Sequence, residues 1–127
     1  MQSAAKAYGD VAQATISPRE LEANLLNKAA MQLQAVQNNW DDHETTLDAA
    51  LFYNRRLWSV FVASVADATS PLPQAIRNNV ASLSVFIFNH TLETQTKPEA
   101  KKLDVLININ REIAAGLRTM PATTASD

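Results

Sequence analysis

The clearest fold signal in the chain is SPRELEANLLNKAAMQLQAVQNNW, residues 17–40. It opens with a capping box. The Ser17 hydroxyl accepts a hydrogen bond from an unpaired backbone amide, Pro18 occupies the first helical position, and the Glu20 side chain reaches back toward the Ser17 amide. The apolar residues that follow recur at the three-and-four spacing of one helix face. They are Leu21, Leu25, Ala29, Leu33, Val36 and Trp40. This pattern predicts a helix that ends at about Asn39.

The residues after this helix predict a second and a third one. Asp41 and Asp42 are expected to cap a helix over about residues 44–68, because short acidic side chains accept hydrogen bonds from the exposed amides of a helix start. Its core stripe has helical spacing and consists of Leu47, Leu51, Asn54, Trp58, Phe61 and Val65. The proline-rich connector at residues 70–73 then leads into a helix over about residues 74–92. 

The ends of the chain complete the predicted fold. Residues 96–99 are expected to start a last long helix that ends near Arg118, and residues 3–14 to form a short helix before the capping box. Residues 119–127 are small and polar, which is typical of a disordered tail. Short connections between long helices favour antiparallel neighbours. We therefore predict an all-α protein, an antiparallel bundle of four long helices plus a short N-terminal helix, in one domain over residues 1–118.

Composition excludes several classes of protein. The chain has 127 residues, of which 46% are apolar, with a net charge of -2 and no cysteine, so disulfide frameworks and thiolate metal sites are excluded. Gly9 and Gly116 are its only glycines, which leaves little room for phosphate-binding loops or tight β-hairpins. The opening residues contain no apolar run of the length of a signal-peptide core, and the longest uncharged run of the chain, between Arg77 and Glu93, is too short and too polar for a membrane span. We expect a cytoplasmic protein without membrane insertion and without a cofactor.

The stretch that superficially resembles a metal site is Asp41-Asp42-His43-Glu44. Consecutive residues at the start of a helix point in different directions, and no second ligand motif accompanies them. Acidic residues at a helix N-terminus are explained by the helix macrodipole. The second histidine, His90, has no nucleophile motif that would complete a serine triad. We predict neither a metal site nor an enzyme.

The second and third predicted helices each carry two apolar stripes. The core stripe expected on the third helix is Ile76, Val80, Leu83 and Ile87. A helix that is apolar on two faces is either buried all round or presents a surface to a partner. The sequence leaves three interpretations of the second stripes open: a central position in the bundle, a groove for an amphipathic partner helix, or a homodimer interface. The residues predicted to line the groove are Phe52, Tyr53, Val60, Val85, Phe88 and Leu92, with Arg56 at its rim to meet an acidic group.

Two asparagines interrupt apolar stripes. Asn54 lies within the core stripe of the second helix, and Asn110 lies between Leu106 and Ile113 of the last helix. A buried amide needs hydrogen-bond partners, and a satisfied asparagine between helices commonly specifies their register. We expect both residues to have a structural role.

Basic residues are concentrated in the second half of the chain. Residues 53–127 carry eight basic and six acidic side chains. The basic ones are Arg55, Arg56, Arg77, Lys97, Lys101, Lys102, Arg111 and Arg118. They are either ordinary solvated side chains or, as the alternative, a patch that contacts RNA.

Several stretches, taken in order, resemble the FlaF family of alphaproteobacterial flagellar biosynthesis regulators. They are AKAYG at 5–9, SPRELEA at 17–23, YNRRLW at 53–58, PLP at 71–73, IRNN at 76–79 and INREIAAGL at 109–117. The resemblance therefore runs through almost the whole predicted domain.

The resemblance implies a cytoplasmic, non-enzymatic factor needed for flagellin production, which acts in opposition to FlbT, a regulator that restrains translation of flagellin mRNA. It also implies a role similar to that of flagellin export chaperones. The leading hypothesis is that the predicted groove binds flagellin. The alternative is control of flagellin mRNA, directly or through FlbT. The sequence leaves open whether the protein is a monomer or a homodimer.

Overall fold

A computed structural model of the chain describes residues 17–67, 70 and 72–119. Its four α-helices are α1 (Pro18–Asn38), α2 (His43–Ala66), α3 (Gln74–Thr96) and α4 (Leu103–Thr119). Two 3-10 turns, Trp40–Asp42 and Ala100–Lys102, precede α2 and α4. No strand occurs within these ranges, so the predicted all-helical class is confirmed for this part of the chain. The short helix predicted over residues 3–14 and the tail after Thr119 lie outside the described residues.

The start of α1 is the one predicted from the capping box. The backbone amide of Glu20 donates to the Ser17 hydroxyl at 3.1 Å, and Pro18 occupies the first turn. At the other end, the Asn39 amide donates to the carbonyl oxygens of Ala35 and Val36. The helix therefore ends at Asn38, one residue before the predicted end.

The predicted aspartate cap of α2 is wrong. Asp42 directly precedes the helix, but no side-chain hydrogen bond caps it. The 3-10 turn places Asp42 at φ -100° and ψ 12°, whereas a capping residue needs an extended backbone to aim its side chain at the first amides. Its carboxylate instead accepts from the Asn39 side chain at 2.9 Å, and its carbonyl oxygen accepts from the Thr45 hydroxyl at 2.9 Å.

The joint between α3 and α4 also differs from the prediction. α3 continues four residues past Leu92, to Thr96, and α4 begins only at Leu103. Lys97 leaves the helical conformation, with φ -137° and ψ 83°, because it precedes Pro98, a position from which the helical region is sterically disfavoured. Glu99 has an extended backbone, so regular helix starts only after the intervening 3-10 turn.

The predicted core stripe of α2 is confirmed in full, since its six residues are all buried. The stripe predicted for α1 is wrong in its first half. Ala29, Leu33 and Val36 are buried, whereas Leu21 is 47% exposed and Leu25 is half-buried. The buried residues of that half are Ala23, Leu26 and Ala30. Two of these three are alanines, and small side chains let the helix axes approach closely.

The helix that α1 contacts most extensively is α4. The Gln37 side chain, near the end of α1, donates to the Asp104 carboxylate at 2.6 Å. Near the start of α1, Asn24 accepts from Arg118 at the end of α4. The two helices therefore run antiparallel.

The core side of α3 is more polar than its apolar pattern predicts. Val80 and Ile87 are buried as expected, but Ile76 and Leu83 are only half-buried. The other buried residues of α3 are Ser84, Thr91 and Thr94. A helix hydroxyl can donate to a carbonyl of the preceding turn, as Thr94 does to His90 at 2.7 Å, and this removes much of the cost of burying it. A threonine can therefore take a core position that the apolar pattern does not reveal.

Two asparagines and a tryptophan form a polar cluster within the apolar core. Asn54 and Asn110 are both fully buried, and the Asn110 amide nitrogen donates to Asn54 Oδ1 at 2.7 Å. The Trp58 indole donates to Asn110 Oδ1 at 2.9 Å. The Asn110 amide nitrogen also donates to a second acceptor, the Leu26 carbonyl oxygen, at 3.3 Å. The cluster thus joins α1, α2 and α4.

Candidate functional site

The residues predicted to line a partner groove are largely accessible. Val60, Val85 and Leu92 are each at least 60% exposed, and Phe52 is 50% exposed. Arg56 is exposed as well, whereas Tyr53 and Phe88 are half-buried. The interpretation in which the second stripes are wholly buried inside the bundle is therefore wrong for most of these residues. It holds in part for Phe88, which packs against the core.

The structure divides the predicted residues between the two flanks of α2. Tyr53 lies toward α1, where the Lys28 ammonium is 5.8 Å from the centre of its ring. Val60 also lies toward α1 and lines a cavity with Leu25 and Leu57. The predicted residues on α3 lie beside the opposite flank of α2. One groove lined by all six apolar residues is therefore wrong.

A groove does lie between α2 and α3, and we call it the α2–α3 groove. It encloses a cavity of about 340 Å³. The residues that line it are Arg55 and Ser59 of α2, and Phe88, Asn89, Thr91, Leu92 and Gln95 of α3. Val85 lies two turns before Leu92 on the same side of α3, so it extends the apolar surface along the helix.

Arg55, rather than the predicted Arg56, is the cation of this groove. Its guanidinium lies 5.7 Å from the centre of the half-exposed Phe52 ring. Helix geometry distinguishes Arg55 from Arg56, because successive residues are rotated by about 100° around the helix axis. Arg55 directly follows the buried Asn54, so it is rotated by about 100° from it and lies at the edge of the buried face. Arg56 is two residues from Asn54, so it lies on the exposed side of the helix, and it does not line the α2–α3 groove.

The floor of the groove contains a hydroxyl that the sequence analysis missed. Thr91 is 1% exposed, and its Oγ1 has no hydrogen-bond partner. A second buried atom without a partner is the amide nitrogen of Asn54. Thr91 looks unremarkable in the sequence, because whether its hydroxyl finds a partner depends on the residues of a neighbouring helix.

A smaller apolar cavity of about 150 Å³ lies on the other flank of α2, toward the start of α1. Its one carboxylate is Glu22, which accepts from Arg19 at 2.7 Å. Burial raises the pKa of the Glu22 carboxyl above its ordinary value of 4.5, and the nearby Arg19 charge opposes that rise. This cavity and the α2–α3 groove are therefore chemically different.

The basic residues of the second half do not gather at one place. Arg77 donates to the Val65 carbonyl oxygen at 3.2 Å, and Arg118 pairs with Asn24, both at the end of the molecule where α1 begins. Lys102 lies at the opposite end, where it donates to the Lys97 carbonyl oxygen at 2.8 Å. Arg77, Lys102 and Arg118 thus donate hydrogen bonds within the fold.

The two histidines also make internal contacts. His43 stacks on Trp40 with ring centres 4.2 Å apart, and its Nδ1 lies 2.8 Å from the Trp40 carbonyl oxygen. Nε2 of His90 lies 2.7 Å from the carbonyl oxygen of Lys102. Among the described residues, no three His, Asp or Glu side chains are grouped as a metal ion would require. Likewise, none of the helices described is both long and apolar enough to span a membrane.

A comparison with known protein families identifies a match. The model of the family described as flagellar protein FlaF matches residues 4–117, nearly the whole chain. None of the curated proteins or solved structures compared with the chain matches it.

Proposed function

Because the chain belongs to the FlaF family of flagellar proteins, we propose that it binds flagellin before export and thereby promotes flagellin production. In this proposal the protein is a non-enzymatic, cytoplasmic chaperone. Holding flagellin couples its secretion to its translation, in opposition to FlbT. The proposed architecture is an antiparallel bundle of the four long helices, with residues 3–14 as a short additional helix.

The observation that carries the proposal is the exposed apolar surface along the α2–α3 groove. Leu92 is 64% exposed and Val85 is 60% exposed, while Phe88 forms a half-buried floor between them. Large apolar side chains in a row along a helix are costly to leave in water. Amphipathic partner helices bind such grooves through apolar residues at helical spacing. The terminal helices of unassembled flagellin have the complementary need to cover apolar surface.

The direct test is to mix the purified protein with its cognate flagellin at equal concentrations of roughly tens of micromolar. Size-exclusion chromatography and calorimetry should show a stable complex, since a groove of this kind supports micromolar or tighter binding. If the two proteins elute separately and no heat is released, the proposed function is wrong.

A pair of substitutions locates the binding surface. Leu92→Asp places a charge on the groove at a position that is exposed, so the fold should survive while flagellin binding is lost. The matched control is Met31→Asp on α1, where a large apolar side chain is 67% exposed but lies outside the groove. Circular dichroism checks that both variants keep their helices. Equal loss of binding in both variants would contradict this location.

A further inference from the structure

Thr91 differs from three other hydroxyl residues of α3, namely Ser84, Thr94 and Thr96. Thr94 and Thr96 each donate to the carbonyl oxygen four residues earlier, at 2.7 and 2.9 Å, and Ser84 donates to Ala81 at 2.6 Å. Thr91 is as well buried as Thr94, yet its Oγ1 has no partner. A buried hydroxyl without a hydrogen bond costs free energy. Thr91 lines the α2–α3 groove, so this unpaired hydroxyl lies where a partner would bind.

Arg55 is the charged residue of the groove, and its guanidinium forms no salt bridge within the described part of the chain. It lies beside the Phe52 ring, a contact that leaves its N–H donors available. The other polar side chains that line the groove are neutral. The groove therefore offers a cation and an unpartnered hydroxyl, and it contains no carboxylate.

We infer that the α2–α3 groove selects a partner helix that places a carboxylate side chain between Arg55 and Thr91. The inference rests on the proposed function and adds to it the chemistry of the bound flagellin segment. The guanidinium donates charge-assisted hydrogen bonds to the carboxylate, and the Thr91 hydroxyl gains its missing acceptor. Apolar residues about one turn away on the same helix cover Phe88 and Leu92.

Thr91 is 1% exposed, so its hydroxyl reaches such a ligand by rotation about χ1 together with displacement of the side chains that cover it. Threonine in a helix divides between two χ1 rotamers, and the usual reason for preferring one is a hydrogen bond to the preceding turn. Thr91 lacks that bond, so nothing polar holds its present rotamer. A neutral amide ligand would satisfy Thr91 but would leave the Arg55 charge uncompensated, which favours an aspartate or glutamate of the partner.

The first test compares two isosteric substitutions at equally buried threonines. Thr91→Val removes the unpartnered hydroxyl, so it should weaken flagellin binding about tenfold without lowering the melting temperature. Thr94→Val removes a hydroxyl that is bonded to His90 and lies outside the groove, and flagellin binding should be unchanged. Calorimetry measures both affinities. If Thr91→Val binds flagellin as tightly as the unmodified protein, the inference is wrong.

The second test identifies the partner's carboxylate. Arg55→Gln should weaken binding about tenfold, whereas the neighbouring exposed Arg56→Gln should not. Aspartates and glutamates in the flagellin termini are then replaced one at a time by asparagine or glutamine. One replacement should weaken binding by the same factor and should have no further effect when combined with Arg55→Gln. Fully additive effects at every position would overturn the inference.

These outcomes separate the inference from the proposed function. If Leu92→Asp abolishes flagellin binding while Thr91→Val and Arg55→Gln leave it unchanged, the groove binds flagellin without a carboxylate contact, and only the inference fails. If the unmodified protein does not bind flagellin, both fail.

Discussion

The indole nitrogen of Trp58 on α2 donates a 2.9 Å hydrogen bond to Oδ1 of Asn110 on α4, inside the apolar core. The amide nitrogen of Asn110 in turn donates to Asn54 Oδ1. One asparagine side chain thus satisfies two other buried polar groups. Such a contact requires the two helices to lie in one particular register, because a shift of one residue would leave the indole without an acceptor.

Asn110→Ala is expected to lower the free energy of unfolding by about 3 kcal/mol, because it leaves the Trp58 and Asn54 side chains buried without their partner. Urea denaturation followed by circular dichroism measures the change. The control is Asn108→Ala on the exposed side of the same helix, which should change stability by less than about 0.5 kcal/mol. Similar losses in the two variants would show that the cluster contributes little.

Gly116→Ala should raise the free energy of unfolding by about 0.5–1 kcal/mol, because glycine in a helix loses more backbone entropy on folding than alanine. Gly116 lies inside α4, and a Cβ added there meets no atom within 4 Å. Thermal melts of Gly116→Ala beside the reverse change at the adjacent exposed position, Ala115→Gly, should give shifts of opposite sign.

Glu22 makes stability depend on pH. Its folded pKa lies above 4.5, so the folded chain binds the proton more strongly than the unfolded chain does. Stability from this residue is therefore greatest below pH 4.5 and falls as the pH rises through the folded pKa. Glu22→Gln should be more stable than the unmodified protein at pH 7, with a difference that shrinks toward pH 4.

Chemical denaturation at a series of pH values measures this effect of Glu22. The control is Glu20→Gln, an exposed residue of the same helix turn, whose substitution should not reproduce the pH dependence. If Glu22→Gln is less stable at pH 7, the ion pair with Arg19 outweighs the cost of burial.

Salt dependence distinguishes flagellin binding from the alternative, control of flagellin mRNA directly or through FlbT. Binding through an apolar groove with one cation should weaken only slightly between 50 and 200 mM salt. Contact between a basic patch and RNA should weaken steeply, because each neutralised phosphate releases counterions. Fluorescence anisotropy with a labelled flagellin leader RNA, in parallel with calorimetry on flagellin, measures both slopes. Tight, strongly salt-dependent RNA binding without flagellin binding would support the alternative.

Short-range patterns in the chain predict the positions of the helices well. The capping box at Ser17 places the start of α1, and the periodic apolar residues of α2 identify its buried face. These signals act between residues within one or two turns, so they are readable without knowledge of the rest of the fold. The predicted aspartate cap was wrong because Asp42 belongs to a 3-10 turn, which has no strong sequence signature, and its backbone is not extended as a capping residue requires.

The candidate site was predicted less completely. Phe88 and Leu92 do line a groove, but Val60 and Tyr53 face the other flank of α2, and Arg55 takes the place assigned to Arg56. The spacing of apolar residues indicates that a helix has a second apolar face. Which of those residues line the same groove depends on the helix that packs beside that face.

Helix positions, the all-helical class and the two asparagines within apolar stripes therefore follow from the amino-acid sequence and local physical chemistry. Contacts between separate helices determine three other features. They are the face of α1 that is buried, the pairing of Asn110 with Trp58 and Asn54, and the absence of a hydrogen-bond partner for the Thr91 hydroxyl. Asn110 is 56 residues from Asn54 along the chain, and no local pattern encodes their distance. Packing of whole helices, driven by burial of apolar surface, determines which polar groups meet and which remain available to a partner.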